Sequence, residues 1–351
     1  MSVLPKARGA ALAAAVLLSL PLTTVSAADA EPGSCSDVTV PAAMAPGLPQ
    51  DQTIYGRLCL PPGPAPDVLQ ILVHGASYDH TYWDFPGFDG RYSYTRAQHS
   101  AGYATLAVDQ LGVGRSSHPP SALVTQLAGA NALHDVVTAA RAGTLGPAFG
   151  RVALVGHSFG SLTAWLEAAT YSDVDGVLAS GASHSLGALA LAQLGPHIRP
   201  ARLDPVTAPR VPVTDLGYLS IPGARAVVFY HLPSTDPAVI EQDEATRSEV
   251  PAGVAATIPV YIPATLGIRV PVLEVNGVED KPFCAQGGGA SLTDCASDAT
   301  LHASEAPFFP PEAQLETTVI PGAGHNLNLH RNAGTFFDRA VRWFQDHFPP
   351  H

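Results

Sequence analysis

Six apolar runs of strand length, separated by longer stretches of helical character, constrain the fold of this 351-residue chain more than any other feature. They read "VLQILVHG" (68–75), "YATLAVDQ" (103–110), "RVALVGH" (151–157), "VDGVLASG" (174–181), "VPVLEVNG" (270–277) and "LETTVIPG" (315–322). Near-continuous apolar runs are what strands buried on both faces require, and the intervening lengths suit crossover helices. The pattern predicts an α/β fold with a doubly wound, mostly parallel sheet. Helices are expected over 122–142, 161–171 and 333–347. Four of the six runs end in glycine, which suits sharp turns at the carboxyl edge of the sheet, where open α/β folds place their sites.

The rhythm breaks between about 182 and 267. This stretch carries eleven prolines and a Leu/Ala-rich piece, "LGALALAQL" (186–194). A helix start is expected at "TDPAVIEQDEATR", with Asp236 as cap and Pro237 at the first helical position. Tyr218, Val227, Val228, Phe229, Tyr230 and Tyr261 supply surface to bury, so the segment is expected to fold as a cap, inserted between the sixth and seventh core strands, above the sheet edge.

The chain begins "MSVLPKARGAALAAAVLLSLPLTTVSAADA". Lys6 and Arg8 precede an apolar stretch that Pro21 interrupts before it could span a bilayer, and small residues near Ala27 suit cleavage. Residues 1–27 therefore read as a secretory signal peptide, leaving 28–351 as a single domain and predicting a secreted protein with no integral membrane segment after cleavage. Loss of Lys6 and Arg8 leaves 16 basic residues against 30 acidic ones, a net charge of −14. With no basic block to neutralise phosphates, a nucleic-acid partner is not expected. Four cysteines in an oxidising compartment fit two disulfides. Three pairings are possible, and Cys35 with Cys59 and Cys284 with Cys295 close the short local loops.

The junction "VALVGHSFGSLTAW" (152–165) places Ser158 where a strand must turn at once into a helix. A side chain projected from so sharp a turn needs slim neighbours, and Gly156 and Gly160 provide them. At the start of a helix, backbone N–H groups can stabilise a developing oxyanion. A serine hydroxyl becomes a competent nucleophile only when an imidazole takes its proton and a carboxylate orients that imidazole. Both are available after later strands: "VPVLEVNGVEDKPFC" offers Glu279 and Asp280, and "TTVIPGAGHNLNLH" offers His325. Residue chemistry alone does not separate Glu279 from Asp280.

Taken in order, "LVHGASYDHTYWD", "AVDQLGVGRSS", "LVGHSFG", "VNGVEDKPF" and "IPGAGHNLN" resemble the α/β-hydrolase family from about 52 to 348. The resemblance implies Ser158 as nucleophile, His325 as base and then acid, and Asp280 as the orienting carboxylate. It also implies an oxyanion hole from the backbone N–H groups of Ala76 and Phe159, with Ser77 as a neighbouring alternative to Ala76. Asp109 resembles a residue that braces a turn. His157 and His330 are expected to serve packing or hydrogen bonding, with His157 pointing to the opposite side of its strand. Tyr78, Tyr82, Trp83 and Phe85 follow the oxyanion segment, and Tyr78 and Trp83 are expected to wall the substrate pocket.

These features predict a secreted serine hydrolase acting on carboxylic esters, with a small-molecule or lipid-like ester as substrate. A serine nucleophile argues against the haloalkane dehalogenase and epoxide hydrolase branches. Lactonase, amidase and peptidase activities would use the same three residues, although proline-releasing aminopeptidases carry a Gly-Gly-Ser-Trp-Gly turn where this chain has Gly-His-Ser-Phe-Gly. A non-catalytic binding protein of the same fold is the remaining alternative. No HExxH, glycine-rich phosphate loop or spaced Cys/His set is present, so the motifs imply neither a metal nor a cofactor.

Overall fold

The computed structural model describes residues 1, 2 and 33–350; the rest of the expected signal peptide lies outside them. All six apolar runs become strands of one eight-stranded sheet. Two further strands precede them: β1 (Cys35–Ala42) and β2 (Gln52–Cys59). The six are β3 (Val68–Val73), β4 (Ala104–Val108), β5 (Arg151–His157), β6 (Gly176–Ser180), β7 (Val272–Gly277) and β8 (Glu316–Ile320). Their spatial order is β1-β2-β4-β3-β5-β6-β7-β8. The β1–β2 and β2–β4 pairs are antiparallel and every other pair is parallel. β1 alternates exposed and partly buried residues along most of its length, as an edge strand does, and so lacks the apolar run that marks the central strands.

Central strands bury both faces. Leu69, Ile71 and Val73 of β3 pack in one layer with α2 (Gln126–Arg141) and α3 (Phe159–Tyr171), while Val68 and Leu72 enter the other with the C-terminal helix, Ala333–His347. That helix sends Phe336, Phe337, Ala340, Trp343 and Phe344 inward at spacings of three and four, one apolar stripe along its length. Each of its large side chains contributes about 1.5–3 kcal/mol by leaving water. A shorter helix, α1 (Tyr94–Ser100), is capped by Ser93, whose hydroxyl accepts from the Arg96 N–H at 3.0 Å.

Between β6 and β7 the chain forms short helices, including Pro237–Ala245, and a small antiparallel sheet of Arg199–Pro200, Tyr218–Ser220 and Val250–Pro251. Pro237 occupies the first turn as expected, but Asp236 makes no side-chain cap. Its carboxylate instead accepts from Arg331 and from the Tyr92 hydroxyl. Both disulfides have the expected pairing: Cys35–Cys59 joins directly opposed residues of β1 and β2, and Cys284–Cys295 closes a loop after β7. Among the described residues, no helix is long and apolar enough to cross a membrane.

Candidate active site

β5 ends at His157 and α3 begins at Phe159, so the whole change of direction falls on Ser158, with φ +54° and ψ −124°. A non-glycine residue at positive φ is strained, and such strain persists where surrounding structure over-determines it. The flanking glycines are sterically required. A Cβ on Gly160 would stand 2.1 Å from the Val73 carbonyl oxygen, and one on Gly156 would stand 2.4 Å from Cα of Ser161.

Ser158, His325 and Asp280 converge from three strand ends and are nearly inaccessible, at 6%, 2% and 0% exposure. His325 Nε2 lies 2.9 Å from Ser158 Oγ, and His325 Nδ1 lies 2.9 Å from Asp280 Oδ2. The Phe283 N–H donates to the second Asp280 oxygen at 3.0 Å, which fixes the carboxylate plane. Glu279 is half-buried and stands outside this chain of bonds; its backbone N–H donates to the Ala323 carbonyl. Of the two adjacent carboxylates, Asp280 is the one within hydrogen-bond reach of His325.

The loop carrying His325 is built around His330. His330 Nε2 accepts from the N–H groups of Gly324 and His231, each at 3.0 Å, so Nδ1 carries the hydrogen and donates to the Asn326 carbonyl at 2.8 Å. Burial pushes its pKa down to about 4. His157 behaves differently from the expectation. Its ring does not turn away from the site: it stacks on Tyr82 at 4.4 Å and lies 4.8 Å from the His325 ring. Burial, then the neighbouring His325, hold its pKa well below the ordinary histidine value, so it is a neutral packing partner of the imidazole.

Ala76 and Phe159 face a common cleft. The first N–H groups of a helix have no intrahelical acceptor, and among the described residues no loop hydrogen bond engages the N–H of Ala76 or Phe159. His74 steadies the approach: its Nε2 accepts from the Gln110 N–H at 3.0 Å while Nδ1 donates to the Gly75 carbonyl at 2.8 Å. Ser77 lies at φ +64°, and its carbonyl accepts from Ser248 N–H at 2.9 Å and from Arg225 Nη2 at 2.8 Å. Asp109 braces the next turn by accepting from the N–H groups of His80 and Arg115 and from the His80 ring.

The apolar wall of the cleft comes from Leu111, Val113, Val124 and Val254. Tyr78 and Trp83, expected to wall the substrate pocket, do not line this cleft. Trp83 is fully buried against Tyr82 and Tyr94. Tyr78 is held beneath the insertion, its hydroxyl donating to Asp243 at 3.0 Å and its ring under the Arg225 guanidinium. Residue-type patterning marks aromatic richness but not depth, whereas the valines and leucine of this cleft come from separate segments and carry no local signature.

An open α/β sheet with a strained serine at a strand-to-helix turn defines a hydrolase-type scaffold. The chain belongs to the alpha/beta hydrolase family, whose sequence profile matches residues 70–339. Comparison with curated proteins gives no match. Among solved structures it is similar to an esterase from Exiguobacterium antarcticum, with a TM-score of 0.60 and 14% identity, covering 88% of this chain and 98% of that one. It is also similar to an esterase from Rhodococcus sp., with a TM-score of 0.57 and 18% identity over 89% and 99% of the two chains. A proline iminopeptidase from Mycobacterium smegmatis gives a TM-score of 0.53 and 18% identity over 89% and 98%.

Proposed function

We propose that this protein is a secreted serine hydrolase that cleaves carboxylic esters through an acyl-enzyme on Ser158. The observation that carries the reading is the continuous pair of 2.9 Å contacts linking Ser158 Oγ through His325 to Asp280. In acylation, Ser158 Oγ attacks the ester carbonyl carbon while its proton passes to His325 Nε2. The carbonyl oxygen becomes an oxyanion that accepts from the N–H groups of Ala76 and Phe159. Collapse breaks the carbon–oxygen bond of the ester, and the departing alkoxide takes the proton from His325. Water then repeats the sequence, with His325 accepting its proton, and releases the acid and Ser158. Asp280 holds the imidazole tautomer throughout and balances the charge of the imidazolium.

An apolar cleft beside the proposed oxyanion hole supports a substrate with a modest apolar acyl group. Two disulfides support an extracytoplasmic setting. The test is labelling of purified protein with a fluorophosphonate probe, together with turnover of a p-nitrophenyl ester series and of aminoacyl-anilides. Labelling that survives Ser158→Ala, or turnover of anilides without turnover of esters, would reject the ester reading.

A further inference from the structure

On the face of the sheet covered by α2 and α3, and on neither side chain of the catalytic chain, lies a second cluster of titratable groups. His134 of α2, Glu167 of α3 and Asp173 of the following turn each offer one ligand atom, and these atoms lie within 4.8 Å of one another. We propose that His134, Glu167 and Asp173 form a binding site for a divalent transition-metal cation, with Zn²⁺ as the preferred ion.

Glu167 carries the argument. It is fully buried, and neither of its carboxylate oxygens has a hydrogen-bond donor among the described residues. One oxygen of Asp173 is likewise without a donor. A buried carboxylate normally collects donors, and one that lacks them needs a counter-charge. The neighbouring cation does not supply it: Arg141 donates to the Asp173 carbonyl and to Asp175. The group facing Glu167 is instead the Asp173 carboxylate, and two carboxylates can pair only by sharing a proton. Burial and that neighbour push the Glu167 carboxyl well above its ordinary pKa.

The second cluster of this kind shows the contrast. Asp79, His80 and Asp109 are also close together, but Asp109 is saturated by two backbone N–H groups and the His80 ring, and Asp79 caps the turn at Thr81. Among the described residues, neither Asp79 nor Asp109 has a buried carboxylate oxygen without a donor, unlike Glu167.

Around His134 the parts are already oriented. Its ring stacks on Tyr171 at 4.0 Å with an interplanar angle of 10°, and Nδ1 points at Asp173 Oδ2, 2.7 Å away. The Tyr171 hydroxyl is itself tied to Asn131 at 2.7 Å. Arg141 fixes the turn through two bonds to the Asp173 carbonyl. His134 and Asp173 retain side-chain exposures of 32% and 25%, so an ion can enter and complete its shell with water. One imidazole with two carboxylates favours Zn²⁺ over Mg²⁺ or Ca²⁺, which prefer all-oxygen shells. Two carboxylates and a neutral imidazole match a divalent charge.

The test uses tag-free full-length protein stripped with a chelator and titrated with ZnCl₂. One equivalent should be retained on equilibrium dialysis, with a rise in Tm of about 5 °C at saturating ion. His134→Ala, at a half-exposed position, should fold normally by circular dichroism and lose both the retained equivalent and the Tm shift. Glu167→Gln should lose them too. Equal retention by wild type and His134→Ala would place the ion elsewhere and overturn the proposal. A shift produced by CaCl₂ but not ZnCl₂ would overturn the choice of ion and donor logic. Absence of binding to wild type would leave the proton-sharing carboxyl pair as the correct account.

Discussion

Arg225, buried in the inserted segment, donates through Nη2 to the carbonyl of Ser77, the residue after Ala76, at 2.8 Å. Its Nε donates to Asp243 at 2.7 Å, and Asp243 also accepts from Tyr78 and Tyr230. Asn326, next to His325, donates to the Tyr78 hydroxyl at 2.7 Å. One buried network therefore ties the insertion to both the proposed oxyanion segment and the imidazole loop. Arg225→Met should cost about 3–5 kcal/mol, because it leaves the Asp243 charge buried without its partner. It should also lower kcat more than it raises KM, as the Ala76 N–H loses its fixed direction. Adding Asp243→Asn should restore part of the stability in urea denaturation. Full wild-type kcat in a folded Arg225→Met protein would show that the network does not position the loop.

The three-residue chain predicts sharply unequal effects at neighbouring positions. Ser158→Ala should lower kcat about 10⁶-fold with stability nearly unchanged. Asp280→Asn should lower it about 10⁴-fold by permitting the wrong imidazole tautomer. Glu279→Gln, one residue away, should stay within about twofold of wild type, since its side chain is outside the bonded set. Steady-state kinetics on one p-nitrophenyl ester checks all three. An Asp280→Asn enzyme as active as Glu279→Gln would remove Asp280 from the mechanism.

How much of this was legible in the chain follows from how local each signal is. Ser158 was readable because Gly156, Gly160, the preceding strand and the following helix are contiguous in sequence, and the central strands because burial on both faces leaves apolar runs. β1 was hidden because an edge strand mixes polar and apolar residues, and β2 because Gly56 and Arg57 interrupt its apolar run. Arg225, Asp243 and Tyr78 belong to one network drawn from segments more than a hundred residues apart, so nothing in local spacing announces it. The same holds for His134, Glu167 and Asp173, which meet only because α2 packs beside α3.

Gly129 offers a test of the cleft that does not touch the proposed chemistry. It sits on α2 in the cleft lining, and a Cβ there would meet Thr163 Cγ2 at 3.5 Å, an ordinary contact. Gly129→Ala should fold and gain about 0.5–1 kcal/mol, as replacing glycine in a helix interior does. Gly129→Leu should project into the cleft and shift the preferred ester toward shorter acyl groups. An acyl-length profile of kcat/KM identical to wild type would mean that the acyl group binds elsewhere.

The disulfides separate stability from turnover. Cys284–Cys295 spans 11 residues and Cys35–Cys59 spans 24, so loop closure assigns each about 3 kcal/mol. Their positions differ. The Cys284 N–H donates to the Asp280 carbonyl at 2.8 Å, so the first loop directly supports the carboxylate, whereas the second clips a distant sheet edge. Paired alanine replacements at either bridge should lower the unfolding free energy comparably, and kcat should fall only at Cys284 and Cys295. Equal kcat losses at both bridges would point to general loosening.

Acid should destabilise the protein through its buried histidines before carboxylates are protonated. Burial holds His330 at about 4 in the folded protein, against about 6.5 for an unfolded chain. Above about pH 6.5 both states are neutral at this ring, and its contribution to stability is complete. As pH falls toward 4 the unfolded chain binds a proton that the folded chain refuses, so stability is lost, by ~3 kcal/mol at the lower end. His157, also held low by burial, adds to the loss in the same direction. His330→Gln should be less stable at pH 7.5, because the N–H groups of Gly324 and His231 lose a well-placed acceptor. Its stability should nevertheless fall less steeply between pH 6.5 and 4.5, a difference that urea titrations at several pH values resolve. A slope equal to that of wild type would mean that His330 takes up its proton in the folded state as readily as in the unfolded one, and that burial does not keep it neutral.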